Sequence, residues 1–368
     1  MLKRFSVENF KGFKEKVVLD FSKTREYGFH TNLVKDGLVN KALLYGRNGS
    51  GKSNLGFAIM DITTHLTDHI RLLNNYVNYL NGDSSDTAAH FEYVFQTPDH
   101  HEIAYRYTKD GSMRLLSEEI AVEGKTVFQY NFQTQQVYNA LPEAQSLVFS
   151  NRPLDISAVK FMRNNLPALP SSSPIEAIVS FANGMLWFRS LRVNEFMGAL
   201  DVPSEMISDF ILQGGYLEDF ESFLKDHGLD FHLAPYTAPD GRHLILAKYA
   251  NKSFELFSLV STGTSSLILL YYWTKKVFRD IQFLYLDEFD AFYHYGLSKA
   301  ILQEINRAPH FQSILTTHNP YLADNAIMRP DCYWIIKDGV VKSFADATNK
   351  TIREGHSLEH MLLTDEFE

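Results

Sequence analysis

The stretch Gly46–Ser53, GRNGSGKS, constrains this 368-residue chain more than any other. Its glycines Gly46, Gly49 and Gly51 let the backbone turn tightly and aim N–H groups inward, and the helical pattern that follows adds the positive end of a helix dipole. An apolar run, KALLY, leads into it. Strand, glycine loop and helix in that order form a cradle for phosphate groups, and the spacing Gly-x-x-x-x-Gly-Lys-Ser is that of a P-loop. Lys52 is placed to reach the β- and γ-phosphates of a nucleotide, and Ser53 to ligate Mg²⁺. The loop alone does not say what the nucleotide is for. Motors, kinases, switches and repair clamps all carry one.

The rest of the chain narrows the choice. Near the C-terminal end, short apolar runs alternate with helical patterns: FELFSLV, then FLYLDE, then SILTTH, each followed by a helix or turn. This alternation predicts an α/β fold with a parallel sheet. In FLYLDE, apolar residues bury a central strand and Asp287 and Glu288 emerge at its C-terminal end, where ligands bind in such sheets. Asp287 is placed to hold Mg²⁺ and Glu288 to polarise an attacking water. His318, in ILTTHNP, follows another apolar run 31 residues after Asp287. One crossover fits that gap and sets His318 on the adjacent strand end, near the γ-phosphate. Ser261-Thr262-Gly263-Thr264 stands just before a helix. Capping hydroxyls and free N–H groups make it an anion site, though taken alone it is only a good helix cap.

Between these ends the pattern changes twice. FSVENFKGFKEKVVLDFS reads as two antiparallel strands, and residues 53–80 as a long helix. FEYVFQ, HEIAYRYT and EEIAVEG alternate with period two and predict an antiparallel meander. Helical patterns fill 151–228, strands return at FHLAPY and HLILAKY, and CYWIIKDGVV reads as a hairpin. The expected division is 1–90 for the first part of the nucleotide-binding core, 91–150 for the β meander, 151–228 for a helical insertion and 229–368 for the rest of the core.

Composition excludes some roles. The net charge of −9 does not favour tight sequence-independent DNA binding. A single cysteine, Cys332, allows no intrachain disulfide, and the most apolar window, LILLYYW, is too short to span a bilayer. A cytoplasmic location without membrane partners is expected.

Together these motifs resemble the ABC-type ATPases of the RecF, SMC and OLD group. FSVENFKGF is similar to that group's opening, and GRNGSGKSNL, with Asn54 after Ser53, to its phosphate loop. STGT stands at the place of the ABC signature. LDEFDAFYH resembles the extended Walker B, which makes Asp290 and His294 part of a dimer-facing loop, and TTHNP resembles the histidine switch. REGHSLEHMLLTDEF is similar to the tail of small ATPases of bacterial phage-defence and abortive-infection systems. The resemblance covers roughly 1–60 and 255–368. It implies a P-loop NTPase core of ABC type that binds ATP and Mg²⁺ through Gly46, Arg47, Asn48, Gly49, Ser50, Gly51, Lys52, Ser53 and Asn54. Asp287 joins Ser53 at the metal. Lys52, Glu288 and His318 act in hydrolysis, and Ser261 to Thr264 of a second copy complete the site in a homodimer or larger homo-oligomer. A separate effector protein is the expected partner, with a DNA-binding repair role as the alternative. No heptad run, zinc hook or appended nuclease domain is expected. Gln96, in EYVFQ, stands in a string like the glutamine loop of transporters but inside the alternating meander, 44 residues after Lys52, so no glutamine is assigned.

Overall fold

The computed structural model describes residues 1–69, 73–153, 155–170, 172–190, 194–198 and 204–367. Two seven-stranded sheets organise it. The first is antiparallel, in the order Val137–Asn139, Lys125–Asn131, Leu115–Val122, Glu102–Asp110, Ala88–Gln96, Leu2–Glu8, Val17–Asp20. The second runs Asn194–Gly198, Met185–Ser190, Phe283–Asp287, Gln312–Thr316, Lys41–Tyr45, Tyr333–Lys337, Val340–Ser343. Its five inner strands are parallel and its two edge strands antiparallel. The strands Lys41–Tyr45, Phe283–Asp287 and Gln312–Thr316 are buried along their whole length, as parallel strands covered on both faces must be.

The helix Lys52–Met60 lies between the sheets and is buried from Leu55 onward. On one side the Tyr93 hydroxyl, from the antiparallel sheet, donates to the carbonyls of Ala58 and Ile59 at 3.1 and 2.9 Å. On the other side Gly56 faces Tyr285 and Trp187 of the parallel sheet, and a Cβ there would come within 2.7 Å of the Tyr285 ring. This close approach explains a glycine in the middle of a helix, where it otherwise costs stability.

Four expectations need correction. The helix expected over 53–80 ends at Met60, with a further turn at Thr63–Leu66; residues 70–72 lie outside the described residues. Thr63, Thr64 and Thr67 each turn their hydroxyl back onto a carbonyl three or four residues earlier, which competes with helix propagation. Asp61 keeps helical backbone angles, while its side chain forms a buried ion pair with Lys109, at 2.5 Å, and accepts hydrogen bonds from the Tyr79 and Tyr107 hydroxyls. Second, the segment 151–228 is not purely helical. Helices Ala158–Asn165, Pro174–Asn183, Ser204–Gln213 and Leu217–Asp226 are there, but Met185–Ser190 is an inner strand of the parallel sheet and Asn194–Gly198 is its edge. Positions 154, 171, 191–193 and 199–203 of that segment lie outside the described residues. The apolar run MLWF is too short for periodicity to separate strand from buried helix. Third, FELFSLV is a strand only to Glu255 and then a helical turn, Leu256–Leu259. It belongs to a small sheet with Leu233–Thr237 and His243–Lys248, not to the parallel one. The boundary at residue 90 also falls inside a sheet, since Leu2–Glu8 pairs directly with Ala88–Gln96. Among the described residues no helix is long and apolar enough to cross a membrane.

Candidate functional site

The C-terminal edge of the parallel sheet gathers the residues that the motifs single out. The loop leaves the strand Lys41–Tyr45 and ends at Gly51, whose φ of 101° is a left-handed conformation that disfavours any side chain. A Cβ at Gly51 would also lie 2.7 Å from the Phe13 ring, so the turn after the first strand closes on the loop. Lys52 is only 5% exposed. Its Nζ donates to the carbonyls of Gly46 and Arg47 at 2.8 and 3.3 Å and stands 2.9 Å from His318 Nε2. The helix start is tied to the neighbouring motif by Tyr285, whose hydroxyl donates to the Lys52 carbonyl at 2.5 Å. Arg47, Asn48 and Gly49 are exposed at the rim, Ser50, Ser53 and Asn54 are half-buried, and Arg47 pairs with Asp365 at 3.4 Å. A cavity of about 520 Å³ lies beside the loop, between Gly46–Ser50, His318 and the C-terminal segment Leu362–Phe367.

The strands Phe283–Asp287 and Gln312–Thr316 are neighbours, and two threonines at the end of the second stitch the acidic turn to it. Thr316 Oγ1 donates to Asp287 Oδ1 at 2.9 Å and accepts from the Glu288 N–H at 2.7 Å. Thr317 Oγ1 donates to Asp290 Oδ2 at 2.6 Å and accepts from the Asn319 N–H at 2.9 Å. Both threonines are fully buried. Glu288 holds φ at 50°, uncommon for a residue with a side chain and a mark of sites where geometry is over-determined. Its carboxylate lies 4.0 Å from His318 Nε2. Burial, and next the Lys52 ammonium, hold the His318 imidazole below its ordinary value, so the neutral ring accepts from Lys52.

Asp287 is 1% exposed. Burial pushes its carboxyl above the usual carboxylate range, while the Ser53 and Thr316 hydroxyls and then the Arg189 charge pull the other way. Its second oxygen, Oδ2, has no hydrogen-bond partner. A buried carboxylate oxygen left open next to a P-loop hydroxyl is a donor set that suits a small hard cation such as Mg²⁺, which takes one or two protein ligands and completes its shell with phosphate and water. No group of three or more His, Cys, Asp or Glu suited to holding a metal by themselves occurs among the described residues.

Ser261 caps the helix Thr262–Tyr272, its hydroxyl accepting from the Thr264 N–H at 3.3 Å. Ser261 and Thr262 are exposed, and Gly263 packs on its own chain, where a Cβ would lie 3.1 Å from the Phe292 carbonyl oxygen. None of the four lines the cavity beside the loop.

Residues 41–324 match the model of a protein family described as "AAA domain, putative AbiEii toxin, Type IV TA system". The chain belongs to this AAA family. No curated protein matches it in sequence. Among solved structures it is similar to an Smc head domain with an extended coiled coil, bound to the C-terminal domain of ScpA, from Pyrococcus furiosus. Identity is 14%, coverage 93% of this chain and 95% of that one, and the TM-score 0.51. It is also similar to an Smc head domain with a coiled coil and joint from Pyrococcus yayanosii, at 12% identity, 99% coverage of both chains and a TM-score of 0.50. A RecF structure with ATP gives 14% identity, 93% and 99% coverage, and a TM-score of 0.41. The fold is that of an ABC-type P-loop ATPase.

The AAA domain thus brings Gly46–Asn54, Asp287, Glu288 and His318 to one sheet edge and leaves Ser261–Thr264 outside the cavity beside the loop, with Gly263 against Phe292 of the segment that follows Glu288. The side chains of two other residues assigned from resemblance turn back into their own chain: Asp290 onto Thr317, and His294 to cap the helix Tyr295–Arg307. Gln96 lies in the antiparallel sheet, not at this edge of the parallel one. Its amide donates to the Asp36 carbonyl and touches His100, at the end of Ala88–Gln96 that pairs with Leu2. Sequence reasoning passed over Thr316 and Arg189. The doubled threonine in TTHNP was a usable signal for the first. Nothing local marked the second.

Proposed function

We propose that this AAA domain is an Mg²⁺-dependent ATP-binding and hydrolysing switch whose sites are completed by a second copy of the chain. The observation that carries it is the convergence of Lys52, His318 and Glu288, at 2.9 and 4.0 Å along that line, over the start of the loop helix. Lys52 and the N–H groups of Gly49 to Ser53 hold the β- and γ-phosphates. A phosphate in the cradle takes over the donors that Lys52 now gives to Gly46 and Arg47. Ser53 and Asp287 would hold Mg²⁺, which would offset phosphate charge. Glu288, fixed by Thr316, orients the attacking water and accepts its proton. Neutral His318 can hold a hydrogen bond at the terminal phosphate without adding charge. The exposed Ser261–Thr264 helix start supports a role in trans, against the phosphate of the partner copy, so that ATP draws two copies together and hydrolysis releases them. Arg47 and Asn48 line the cavity beside the loop, while the Asn54 amide lies towards Gly12 in the turn after the first strand.

For the biological setting, we read the chain as a cytoplasmic ATPase of a prokaryotic anti-phage defence system that controls an effector made as a separate protein; the family's description, which names a putative AbiEii toxin of a type IV system, suggests the defence setting and says nothing of the effector. A chain whose two states differ mainly in subunit contacts can transmit a change of assembly. The test pairs two variants. Lys52→Ala is expected to lose ATP binding in equilibrium titration. Glu288→Gln is expected to bind ATP, lose turnover by about 10²-fold or more, and accumulate dimers or larger species in light scattering. Normal hydrolysis by either variant removes the assignment of that residue. Co-expression with each adjacent gene under phage challenge tests the setting. Turnover stimulated by DNA, with no dependence on a neighbouring gene, favours a RecF-like repair role instead.

A further inference from the structure

Arg189 lies in the strand Met185–Ser190, which runs parallel to Phe283–Asp287 with Arg189 directly opposite Asp287. Its Nη1 is 3.8 Å from Asp287 Oδ2, the oxygen without a hydrogen-bond partner, whereas Oδ1 is held by Thr316. The Arg189 side chain is 22% exposed, and its guanidinium stands 5.6 Å from the Trp187 ring. At 3.8 Å the pair has charge attraction without a directed hydrogen bond. Such a contact compensates a buried carboxylate yet is easily given up. A divalent cation on the same oxygen would sit close to the guanidinium, and the two positive charges would repel in a site with little water.

We propose that Arg189 is a positioning residue, the resident counter-charge of Asp287, which competes with the divalent cation for that carboxylate and so sets how much Mg²⁺ the site requires. The inference rests on the reading of Asp287 as a metal ligand. Its consequence is that the carboxylate is guarded against Mg²⁺ alone and is opened when the cation arrives with phosphates, whose negative charge the displaced guanidinium can face.

The experiment is a titration of the full chain with Mn²⁺, read by electron paramagnetic resonance without nucleotide and again with ATP. Arg189→Met is expected to bind Mn²⁺ about threefold or more tightly than the natural chain without nucleotide, the scale of one partly shielded charge pair. Arg189→Lys, which keeps the charge, is expected to stay near the natural value. With ATP the difference should shrink. Should Arg189→Met fail to fold, Arg189→Gln is expected to give the same gain. Equal or weaker Mn²⁺ binding in the folded neutral variant overturns the proposal, as does a gain in Arg189→Lys of the same size. Asp287→Ala separates the two levels. If ATP binding by that variant stays as Mg²⁺-dependent as in the natural chain, the metal reading itself fails. If that dependence is lost while the neutral Arg189 variant shows no gain, only the present inference fails.

Discussion

Thr316 carries more of the site than its size suggests. One buried hydroxyl accepts from the Glu288 N–H and donates to Asp287, so it fixes both the left-handed turn at Glu288 and the orientation of the neighbouring carboxylate. Thr316→Val preserves shape and removes both hydrogen bonds. The expected cost is about 1–3 kcal/mol of stability from the unsatisfied groups, measured by chemical denaturation. Turnover should fall while ATP binding persists; unaltered turnover would show that Glu288 needs no such anchor. His318 gives a pH dependence with a definite sign. Its folded value lies below the ordinary 6.5 because of burial first and Lys52 second. Between the two values the unfolded chain binds the proton and the folded chain does not, so this residue's contribution to stability is complete above 6.5 and declines as pH falls below it. Protonation also removes the acceptor that faces Lys52. The acid limb of kcat/KM should therefore lie below 6.5 and vanish in His318→Asn; a limb unchanged by that substitution belongs to another group.

At the scale of elements, legibility in the sequence followed how local the signal was. The P-loop, the strand ending in Asp287 and Glu288, and the strand before His318 are each written in fewer than ten consecutive residues, and each is where the motifs put it. Met185–Ser190 was not legible, because MLWF fits a buried strand or a buried helix equally well. The helix before it stops at Asn183 with Gly184 as its cap, which was the available clue. Arg189 was invisible for the same reason: its meaning comes from lying beside Asp287, a pairing across nearly a hundred residues. The early stop of the loop helix was readable in part, from the threonines at 63, 64 and 67, whose hydroxyls turn back on nearby carbonyls. The interior partners of Asp61 were not, since Lys109, Tyr79 and Tyr107 are distant in sequence. Asp61→Ala leaves the Lys109 ammonium buried without that partner and is expected to cost about 3–5 kcal/mol, seen as a lower denaturation midpoint. Lys109→Met should cost less, since the two tyrosines still donate to Asp61. Equal, small losses in both would mean that the ion pair is not what holds the antiparallel sheet to the end of the helix.

For the whole molecule, the separation of Ser261–Thr264 from the loop makes the strongest demand. If the site is shared, a defect in the loop and a defect in the signature lie in different halves. Thr262 is exposed in the first turn of its helix, where a carboxylate is compatible with the helix dipole, so Thr262→Asp should fold normally while opposing a phosphate brought by another copy. Lys52→Ala and Thr262→Asp are each expected to be inactive, and their mixture to recover ATPase activity, up to about a quarter of the natural level if copies pair at random and sites act independently. No recovery on mixing would point to sites contained within one chain, or to two sites that fire only together.

The helix clamped between the sheets also bears on how such a chain can change over evolutionary time. Gly56 is fitted to Tyr285 and Trp187, Asp61 to Lys109 and Tyr107, and Leu2–Glu8 to Ala88–Gln96. The antiparallel sheet is therefore no detachable module. A recombination event that imported a foreign meander would have to bring its own lysine and tyrosines to meet Asp61, and a matching edge for the first strand. The small three-stranded sheet is tied in more lightly but not freely: Ile245 and Ala247 are buried in the common core, and the Leu233 N–H donates to Glu221 of the helix Leu217–Asp226, so a replacement there would have to match those partners.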